Sequence, residues 1–349
     1  MDKITLPREF PERVLSWYDR GHRQLPWRED KDPYHIWLSE IMLQQTRVEA
    51  VKAYYSRFLQ VLPTIGDLAN ADDELLHKLW EGLGYYSRVR NLKKAAIAIC
   101  RDHGGKFPEQ YRDVRALPGI GPYTAGAICS IAFDQPVAAV DGNVLRVVSR
   151  LTADNTPIDS PAYKKTVEES LNAIYPKRAG DFTQALMELG ATVCGPNKAP
   201  ECAACPCSGF CKAKLQGNPE EYPAKTAKKQ RRQEDMTVLI LSCQGRFALE
   251  KRGDRGLLAD LWQFPNIPGH LELSEVIRYL EERQILVKDI LRQTEKKHIF
   301  THVQWNMRGF YLEVREETEQ FSWMDPQRIY TFAALPTAFR QFWEEVEHF

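Results

Sequence analysis

The 349-residue sequence lacks the features that would place it in a membrane or outside the cell. No apolar run approaches the roughly 20 residues of a membrane span. The first ten residues, MDKITLPREF, lack the apolar core of a secretory signal. The 47 basic and 47 acidic residues cancel, so net charge gives no argument for a nucleic-acid partner, although a balanced chain can carry a basic face. We therefore expect a globular, cytoplasmic protein without a membrane partner.

Cysteine is scarce outside one short stretch. Of eight cysteines, five lie between residues 194 and 211, and three stand singly in apolar segments, as small core residues do. In a reducing compartment such a cluster indicates a metal site rather than disulfides. The spacing C-x7-C-x2-C-x5-C supplies four thiolates that suit structural zinc or an iron–sulfur cluster: Cys194, Cys202, Cys205 and Cys211. Cys207 is a fifth thiol that leaves the choice of ligands open.

The chain changes character twice. Residues 1–216 carry apolar side chains at helical spacing, as in DPYHIWLSEIML, where Asp32 can cap a helix and Pro33 can occupy its first turn. Residues 217–235, GNPEEYPAKTAKKQRRQED, predict a basic interdomain linker that is either a solvated tether or a strap across a phosphate backbone. Residues 236–349 alternate in strand fashion around a helix candidate, LSEVIRYLEERQI. We predict an all-α region followed by a separate α+β domain.

A glycine-rich turn, LPGIGPYTA at residues 117–125, opens one of the predicted helices. It has no Gly-Lys-Ser/Thr ending for a nucleotide triphosphate and no nearby lysine. Backbone N–H groups at Gly119, Gly121 and the start of the helix can face one anion. Such a turn suits a phosphate of a polymer backbone, although an ordinary corner between two helices has the same local pattern.

Together with V-D-G-N at 140–143, this turn resembles the helix-hairpin-helix motif and following aspartate of base-excision DNA glycosylases. Lyase members of that superfamily carry a lysine nucleophile where this chain has Tyr123, and tyrosine cannot form the Schiff base that permits strand cleavage. The resemblance therefore implies a monofunctional glycosylase that hydrolyses the base–sugar bond. The cysteine array resembles the [4Fe–4S] loop of the same superfamily, with a first gap one residue longer than usual.

The stretch LPWREDKDPYHIWLSEIMLQQTRVEAV at 25–51 resembles the adenine-glycosylase (MutY-type) branch, which acts on adenine opposite 8-oxoguanine. Adenine is a poor leaving group until a ring nitrogen is protonated, and its departure leaves a cationic sugar. A carboxylic acid beside apolar groups can hold its proton near neutrality, and an ionised carboxylate can stabilise or trap the cation. By this resemblance Glu40 protonates adenine at N7 and Asp141 serves the sugar. Tyr123 and Asn143 would position and polarise nearby groups.

The resemblance extends to the last domain, where LLADLWQFP and HIFTHVQW are similar to the Nudix-related domain that recognises 8-oxoguanine. The helix candidate lacks the glutamate array that a hydrolytic Nudix site needs, so we expect no pyrophosphatase activity. The other implied site residues are Gln45 and Tyr85, inserted into the duplex, with Thr46 and Leu83 at the mismatch; Arg28 and Gln184, in the adenine pocket; and Phe300, Thr301 and His302, which check the oxidised base. Serine is common in the family where this chain has Thr301, which keeps the hydroxyl and adds a methyl.

We therefore predict a monomeric, nucleoid-associated adenine DNA glycosylase with a [4Fe–4S] cluster. Its partner would be double-stranded DNA carrying 8-oxoguanine:adenine or guanine:adenine mispairs, and its product would start base excision repair. One rival hypothesis is a related glycosylase for thymine mismatches or oxidised pyrimidines. Another is a non-catalytic DNA-binding module, which the presence of both Glu40 and Asp141 disfavours because binding alone needs neither acid.

Overall fold

A computed structural model of the chain describes residues 4–196, 199–226 and 230–346. The chain divides into two compact units. The first comprises Met1–Asn70 and Arg90–Ala227, and the second comprises Ala71–Val89 and Lys228–Phe349. The segment Ala71–Val89 thus groups with the C-terminal part of the chain, although it lies within the helical stretch of the sequence.

Helices make up the regular structure of the described residues up to 226. In chain order they are α1 (Phe10–Asp19), a 3-10 helix (Pro26–Arg28), α2 (Pro33–Leu43), α3 (Val48–Val61), α4 (Ile65–Asn70), α5 (Asp73–Trp80), α6 (Ser87–His103), α7 (Tyr111–Ala116), α8 (Pro122–Phe133), α9 (Gly142–Thr152), α10 (Pro161–Asn172), α11 (Ala179–Thr192), α12 (Lys212–Leu215) and a 3-10 helix (Pro219–Glu221). Among the described residues, no helix combines the length and apolarity needed to cross a bilayer.

Helix α2 begins as its sequence predicts. The Asp32 side chain accepts a hydrogen bond from the Tyr34 backbone N–H at 2.8 Å, and Pro33 occupies the first turn. Such a cap satisfies one of the donors that every helix start leaves without a partner. Eight of the eleven residues of α2 are buried, including Glu40, so this helix lies inside the first unit rather than along its surface.

Two glycines allow close packing around helices α8 and α11. A Cβ atom at Gly126 of α8 would lie 2.3 Å from the Ala138 carbonyl oxygen. A Cβ atom at Gly190 of α11 would lie 2.6 Å from the Asn143 Cβ atom on α9. These distances are shorter than van der Waals contact, so only glycine fits at either position. The close approach brings the start of α9 against α11.

The second unit contains a seven-stranded mixed sheet, which confirms the predicted α+β class. Its strands are β1 (Arg232–Cys243), β2 (Arg246–Lys251), β3 (Trp262–Gln263), β4 (Asn266–Pro268), β5 (Val287–Ile299), β6 (Val303–Val314) and β7 (Ser322–Met324). The main order is β3-β2-β1-β6-β5, with β4 paired to β1 and β7 paired to β2. Strand β6 runs parallel to β1 and antiparallel to β5.

Helices cover this sheet, and two apolar clusters fill its faces. Along β1, Val238 and Ile240 belong to one cluster, whereas Leu239 and Leu241 belong to the other, as the two-residue period of a strand requires. The helices are α13 (Leu273–Glu281), α14 (Pro326–Thr331) and α15 (Thr337–Val346). Helix α13 falls within the predicted helix candidate and starts with a capping box.

The segment predicted as a linker, 217–235, contains regular structure at both ends. Strand β1 begins at Arg232, and a 3-10 helix spans Pro219–Glu221. The Arg150 guanidinium donates to the Pro219 and Tyr222 carbonyl oxygens at 2.9 and 3.0 Å, so this part packs on the first unit. Two of its basic residues, at 228 and 229, lie outside the described residues. The proposed boundaries 1–216, 217–235 and 236–349 stay a prediction.

We expect Gly126→Ala to lower the free energy of unfolding by about 1–3 kcal/mol, because the new methyl group overlaps a backbone carbonyl that cannot move freely. Urea denaturation followed by circular dichroism measures the change. The matched control is Gly66→Ala in α4, where the new Cβ meets the Thr64 Oγ1 atom at an ordinary 3.6 Å. That variant should be as stable as the parent or more stable. Equal stability of the two variants would contradict the packing argument.

Candidate active site

A buried carboxyl group on α2 faces a tyrosine on α8. Glu40 is 5% exposed, and its Oε2 atom accepts a short hydrogen bond from the Tyr123 hydroxyl. Burial raises the Glu40 pKa to about 7. The bond from Tyr123 and the charge of Arg28 act in the opposite direction, whereas the charge of Asp141 raises the pKa further. Glu40 is therefore a carboxylic acid poised to give up a proton near neutral pH.

Asp141 lies close enough to influence Glu40, but its surroundings differ. It is the N-cap of α9, and its two oxygens accept hydrogen bonds from the Val144 backbone N–H at 2.8 Å and the Asn143 side-chain amide at 2.6 Å. Burial raises the Asp141 pKa, while these two donors and the charge of Arg146 oppose that rise. The donors favour the ionised form of Asp141. The two carboxyl groups of the site thus differ in their hydrogen-bonding partners, a phenol for Glu40 and two amides for Asp141.

Two arginines converge on a third buried carboxyl group, that of Glu188, beside these acids. Glu188 of α11 accepts from Arg28 Nη2 at 2.9 Å and from Arg23 Nε and Nη2 at 2.7 and 2.9 Å. Burial favours a higher Glu188 pKa, but the bonds from Arg23 and the charge of Arg28 outweigh it and hold the pKa below its ordinary value. The ion pairs fix the Arg28 guanidinium within electrostatic reach of Glu40.

The structure brings Gln184 to the same place. Its Oε1 atom accepts from the Tyr18 hydroxyl at 3.5 Å, and the Tyr18 ring lies 5.8 Å from the Arg28 guanidinium carbon. Glu188 was not singled out in the sequence. The sequence did indicate that Glu188 lies near the predicted adenine pocket, because it follows Gln184 by four residues and therefore shares its face of α11.

Arg146 of α9 connects the Asp141 region to the cysteine loop. Its guanidinium donates to the Asn143 Oδ1 atom at 2.8 Å, to the Gly190 carbonyl at 2.7 Å and to the Cys194 carbonyl at 2.8 Å. Sequence reasoning missed this residue. Arg146 holds Asn143 in the orientation in which its amide donates to Asp141, because the amide oxygen is already engaged.

The cysteine loop gathers its thiols around one pocket. All five cysteines of the loop, including Cys207, line this pocket together with Arg150. The Arg150 Nη1 atom contacts the Cys194 Sγ atom at 3.2 Å. Within residues 4–196, 199–226 and 230–346, no group of three or more His, Cys, Asp or Glu side chains is arranged around a single metal ion. The thiol donor set fits a multi-iron cluster, in which each thiolate binds a different iron.

The hairpin turn has the geometry that its glycines require. Gly119 adopts φ 75°, in the left-handed region, and a Cβ there would lie 2.6 Å from the Asn91 Cβ atom. Gly121 is the N-cap of α8, and Pro122 occupies the first turn. The N-terminus of this twelve-residue helix is therefore suited to an anion.

The residues predicted at the mismatch occur in both units. In the first unit, Gln45 follows α2 in a left-handed conformation with φ 58° and an exposed side chain, and Thr46 lies next to it. In the second unit, Leu83 is buried and Tyr85 is 46% exposed. The predicted site residues are therefore divided between the two units.

Tyr85 and the predicted lesion-reading loop meet inside the second unit. The Tyr85 hydroxyl forms a 2.6 Å hydrogen bond with the Thr301 Oγ1 atom, across 216 positions of sequence. Phe300 packs edge-on against Trp305, with ring centroids 4.8 Å apart, whereas Thr301 and His302 are exposed. This contact was not foreseen from the sequence.

Comparison with known proteins identifies the family. A family model described as HhH-GPD superfamily base excision DNA repair protein matches residues 38–176, and a NUDIX domain model matches residues 236–345. The adenine DNA glycosylase of Homo sapiens is 33% identical, in an alignment that covers 95% of this chain and 73% of the human protein. The chain belongs to the adenine DNA glycosylase family. The predicted combination of a helix-hairpin-helix region with a Nudix-like C-terminal domain is thereby confirmed.

Two further proteins similar to this glycosylase differ in how much of the chain they cover. The adenine DNA glycosylase of Arabidopsis thaliana is 37% identical, and the alignment covers 86% of this chain but only 56% of that protein. The chain thus spans little more than half the length of the plant relative. A thermostable thymine-DNA glycosylase structure matches 60% of this chain with a TM-score of 0.53 and 29% identity. The adenine relatives extend over more of the chain than the thymine enzyme does.

The raised Glu40 pKa predicts how stability changes with pH. The folded glycosylase binds this proton more tightly than the unfolded chain, so the stabilisation is present at acid pH and is lost as pH rises toward the folded pKa of about 7. Glu40→Gln is always neutral. We expect it to exceed the parent in unfolding free energy by up to about 3 kcal/mol at pH 8, and by less than about 1 kcal/mol at pH 5.

Denaturant unfolding at the two pH values measures this difference. The control is Glu49→Gln on α3, since the Glu49 side chain is 78% exposed. The difference in unfolding free energy between Glu49→Gln and the parent should be the same at pH 5 and pH 8. An equal gain for Glu40→Gln at pH 5 and pH 8 would contradict the assignment.

Proposed function

We propose that this glycosylase removes adenine paired with 8-oxoguanine, or with guanine, from duplex DNA by acid-assisted hydrolysis of the N-glycosidic bond. The observation that carries the proposal is the pair of buried carboxyl groups, Glu40 with a pKa near 7 and Asp141 bonded to two amide donors. Such a pair can protonate a leaving base and stabilise the sugar cation that it leaves behind.

Glu40 acts as the general acid. It gives its proton to a ring nitrogen of adenine, which by family resemblance is N7, and the electrons of the breaking C–N bond leave with the neutral base. The Tyr123 hydroxyl donates to Glu40 and so supports the carboxylate that forms. A pKa close to the working pH makes both the acid form and the proton transfer accessible.

Asp141 faces the positive charge that develops on the sugar. Asn143 and the Val144 N–H hold its carboxylate in one orientation, and Arg146 holds Asn143. Water then adds to the anomeric carbon, and the proton that this water loses goes to the Glu40 carboxylate, which completes hydrolysis and restores the acid. Tyr123 has no amine with which to form a Schiff base, so the strand stays intact.

The adenine pocket combines Arg28 and Gln184 with Glu188. Adenine has to leave the helical stack to reach the acids, at a cost of a few kcal/mol. Arg28 presents hydrogen-bond donors, and its ion pair with the buried Glu188, which Arg23 also holds, fixes their direction. Polar groups fixed in advance lose little conformational freedom when the base binds.

The remaining predicted residues would hold the DNA. Gly119 and Gly121 would place backbone N–H groups at a phosphate. Gln45 and Tyr85 would enter the duplex, with Thr46 and Leu83 at the mismatch. The loop of Phe300, Thr301 and His302 would examine the base opposite adenine. What supports this last role is the bond between Tyr85 and Thr301.

We propose that Cys194, Cys202, Cys205 and Cys211 hold a [4Fe–4S] cluster. When bound, the cluster would cross-link the loop between α11 and α12 and supply structural rigidity. Arg150 donates to the Cys194 sulfur and would offset thiolate charge. We further propose that the glycosylase acts as a cytoplasmic, nucleoid-associated monomer on double-stranded DNA.

Asp141→Asn tests the chemical role of the acid. Asparagine is also a favoured N-cap, so the start of α9 is retained while the negative charge is removed. We expect the single-turnover rate on a duplex with adenine opposite 8-oxoguanine to fall at least about 100-fold, with duplex binding largely unchanged. The control is Asp154→Asn, whose side chain likewise accepts a backbone N–H, from Thr156 at 2.8 Å.

Each sample of that assay is divided, and half is heated with alkali. Strand breaks in the parent protein only after alkali indicate base removal without lyase chemistry. Breaks without alkali would contradict the argument from Tyr123. A parent rate retained in Asp141→Asn would remove Asp141 from the mechanism.

Serine variants identify the cluster ligands. We expect Cys205→Ser and Cys211→Ser to purify with little iron and without the visible absorption of an iron–sulfur cluster, because serine is a poor ligand for iron in such clusters. Cys207→Ser should keep its iron and its visible absorption. Metal analysis of the purified variants provides the measurement. Zinc in place of iron, or loss of iron in Cys207→Ser alone, would refute the proposed ligand set.

A further inference from the structure

Two acidic side chains on the segment Ala71–Val89 have no role in the proposed function. Glu74 lies in the first turn of α5, and Glu81 directly follows the last residue of that helix. Their side chains are 17% and 7% exposed. Burying a carboxylate is costly unless donors surround it, so both positions need an explanation.

The Glu81 carboxylate is held by polar groups of the second unit. One carboxylate oxygen accepts from the Leu335 backbone N–H at 3.0 Å. The other lies 2.7 Å from Lys78 Nζ and 3.4 Å from Arg340 Nη2. Lys78 also donates to the Ala333 carbonyl at 3.3 Å. Glu81 therefore ties the end of α5 to the start of α15.

Glu74 makes a second attachment near the start of α5, about two helical turns before Glu81. It accepts from the Trp262 indole N–H at 3.0 Å, and its other oxygen pairs with the Lys251 ammonium. Two attachments on one helix fix its rotation as well as its position. Helix α5 is thus held on the C-terminal fold by polar contacts of defined geometry.

The loop that follows Glu81 transmits this position to Tyr85. Gly82, Gly84 and Tyr85 all adopt positive φ, at 99°, 68° and 48°, which makes the loop tight. The Trp80 indole donates to the Gly84 carbonyl at 3.1 Å, and Arg88 donates to the same carbonyl at 3.0 Å. The loop is a compact extension of α5, and it ends where Tyr85 bonds to Thr301.

We infer that Glu81 and Glu74 are positioning residues that hold Tyr85 against Thr301, and that selection of 8-oxoguanine over guanine opposite adenine depends on them. The inference rests on the proposed function. A hydrogen bond weakens steeply when its partners move from their optimal distance and angle, so a displaced loop loses the bond between Tyr85 and Thr301. Because selectivity is a difference between two binding free energies, a small displacement at the loop changes it.

Glu81→Gln is the test variant, since it keeps an acceptor for Leu335 but removes the charge that pairs with Lys78 and Arg340. The matched control is Glu49→Gln, which breaks an exposed Lys–Glu pair of the same i,i+3 type on α3. Single-turnover rates are measured on adenine opposite 8-oxoguanine and opposite guanine, and their ratio is the readout. We expect this ratio to fall about tenfold in Glu81→Gln and to stay unchanged in Glu49→Gln.

Thr301→Ala separates positioning from general stability. If Glu81 acts through the bond between Tyr85 and Thr301, adding Glu81→Gln to Thr301→Ala should lower the ratio no further. An unchanged ratio in Glu81→Gln, or an independent loss in the double variant, would overturn the inference. A carboxylate that only stabilises the fold would slow both substrates equally and leave the ratio unchanged.

Hydrogen exchange of the amides at 82–86, measured without DNA, keeps the inference testable if the proposed function fails. Faster exchange in Glu81→Gln than in Glu49→Gln supports the positioning of the loop, whereas equal exchange overturns it. A parent protein that removes no adenine refutes the proposed function, and the exchange result still decides whether Glu81 holds the loop.

Discussion

The candidate active site depends on the removal of the Glu40 carboxyl group from water. A carboxylate in that position would be unfavourable, so the group holds its proton to about pH 7, where an exposed glutamate is ionised. This desolvation requires a helix that is buried on nearly all sides, and α2 meets the requirement. Tyr123, Arg28 and Asp141 then adjust a proton affinity that burial has set.

Close backbone packing keeps the second acid different from the first. Gly190 allows α11 to approach Asn143, and Arg146 fills the adjoining space with bonds to Asn143, Gly190 and Cys194. Asp141 therefore meets amide donors where Glu40 meets a phenol. Two carboxyl groups with different hydrogen-bonding partners can divide the work of acid and of cation stabiliser, which two equivalent groups cannot do.

Much of the fold could be predicted from local signals. The Asp32 cap and the helix α13 follow from capping chemistry and apolar spacing, which act over a few residues. The glycine turn and the acids Glu40 and Asp141 were visible as motifs. The roles of Arg23, Glu188 and Arg146 could not be predicted, because their hydrogen bonds form only after the helices pack. Arg23 and Arg28 lie 165 and 160 positions from Glu188, and Arg146 lies 48 positions from Cys194.

The sequence by itself determined the order of elements, the residue types available for acid chemistry and the thiol-rich loop. Only the tertiary structure decided that Glu40 is desolvated, that Arg28 is held by Glu188, and that Tyr85 meets Thr301. Chemistry of this kind depends on burial and on distances between remote residues. Both quantities come from the packing of whole elements, and no short stretch of sequence contains them.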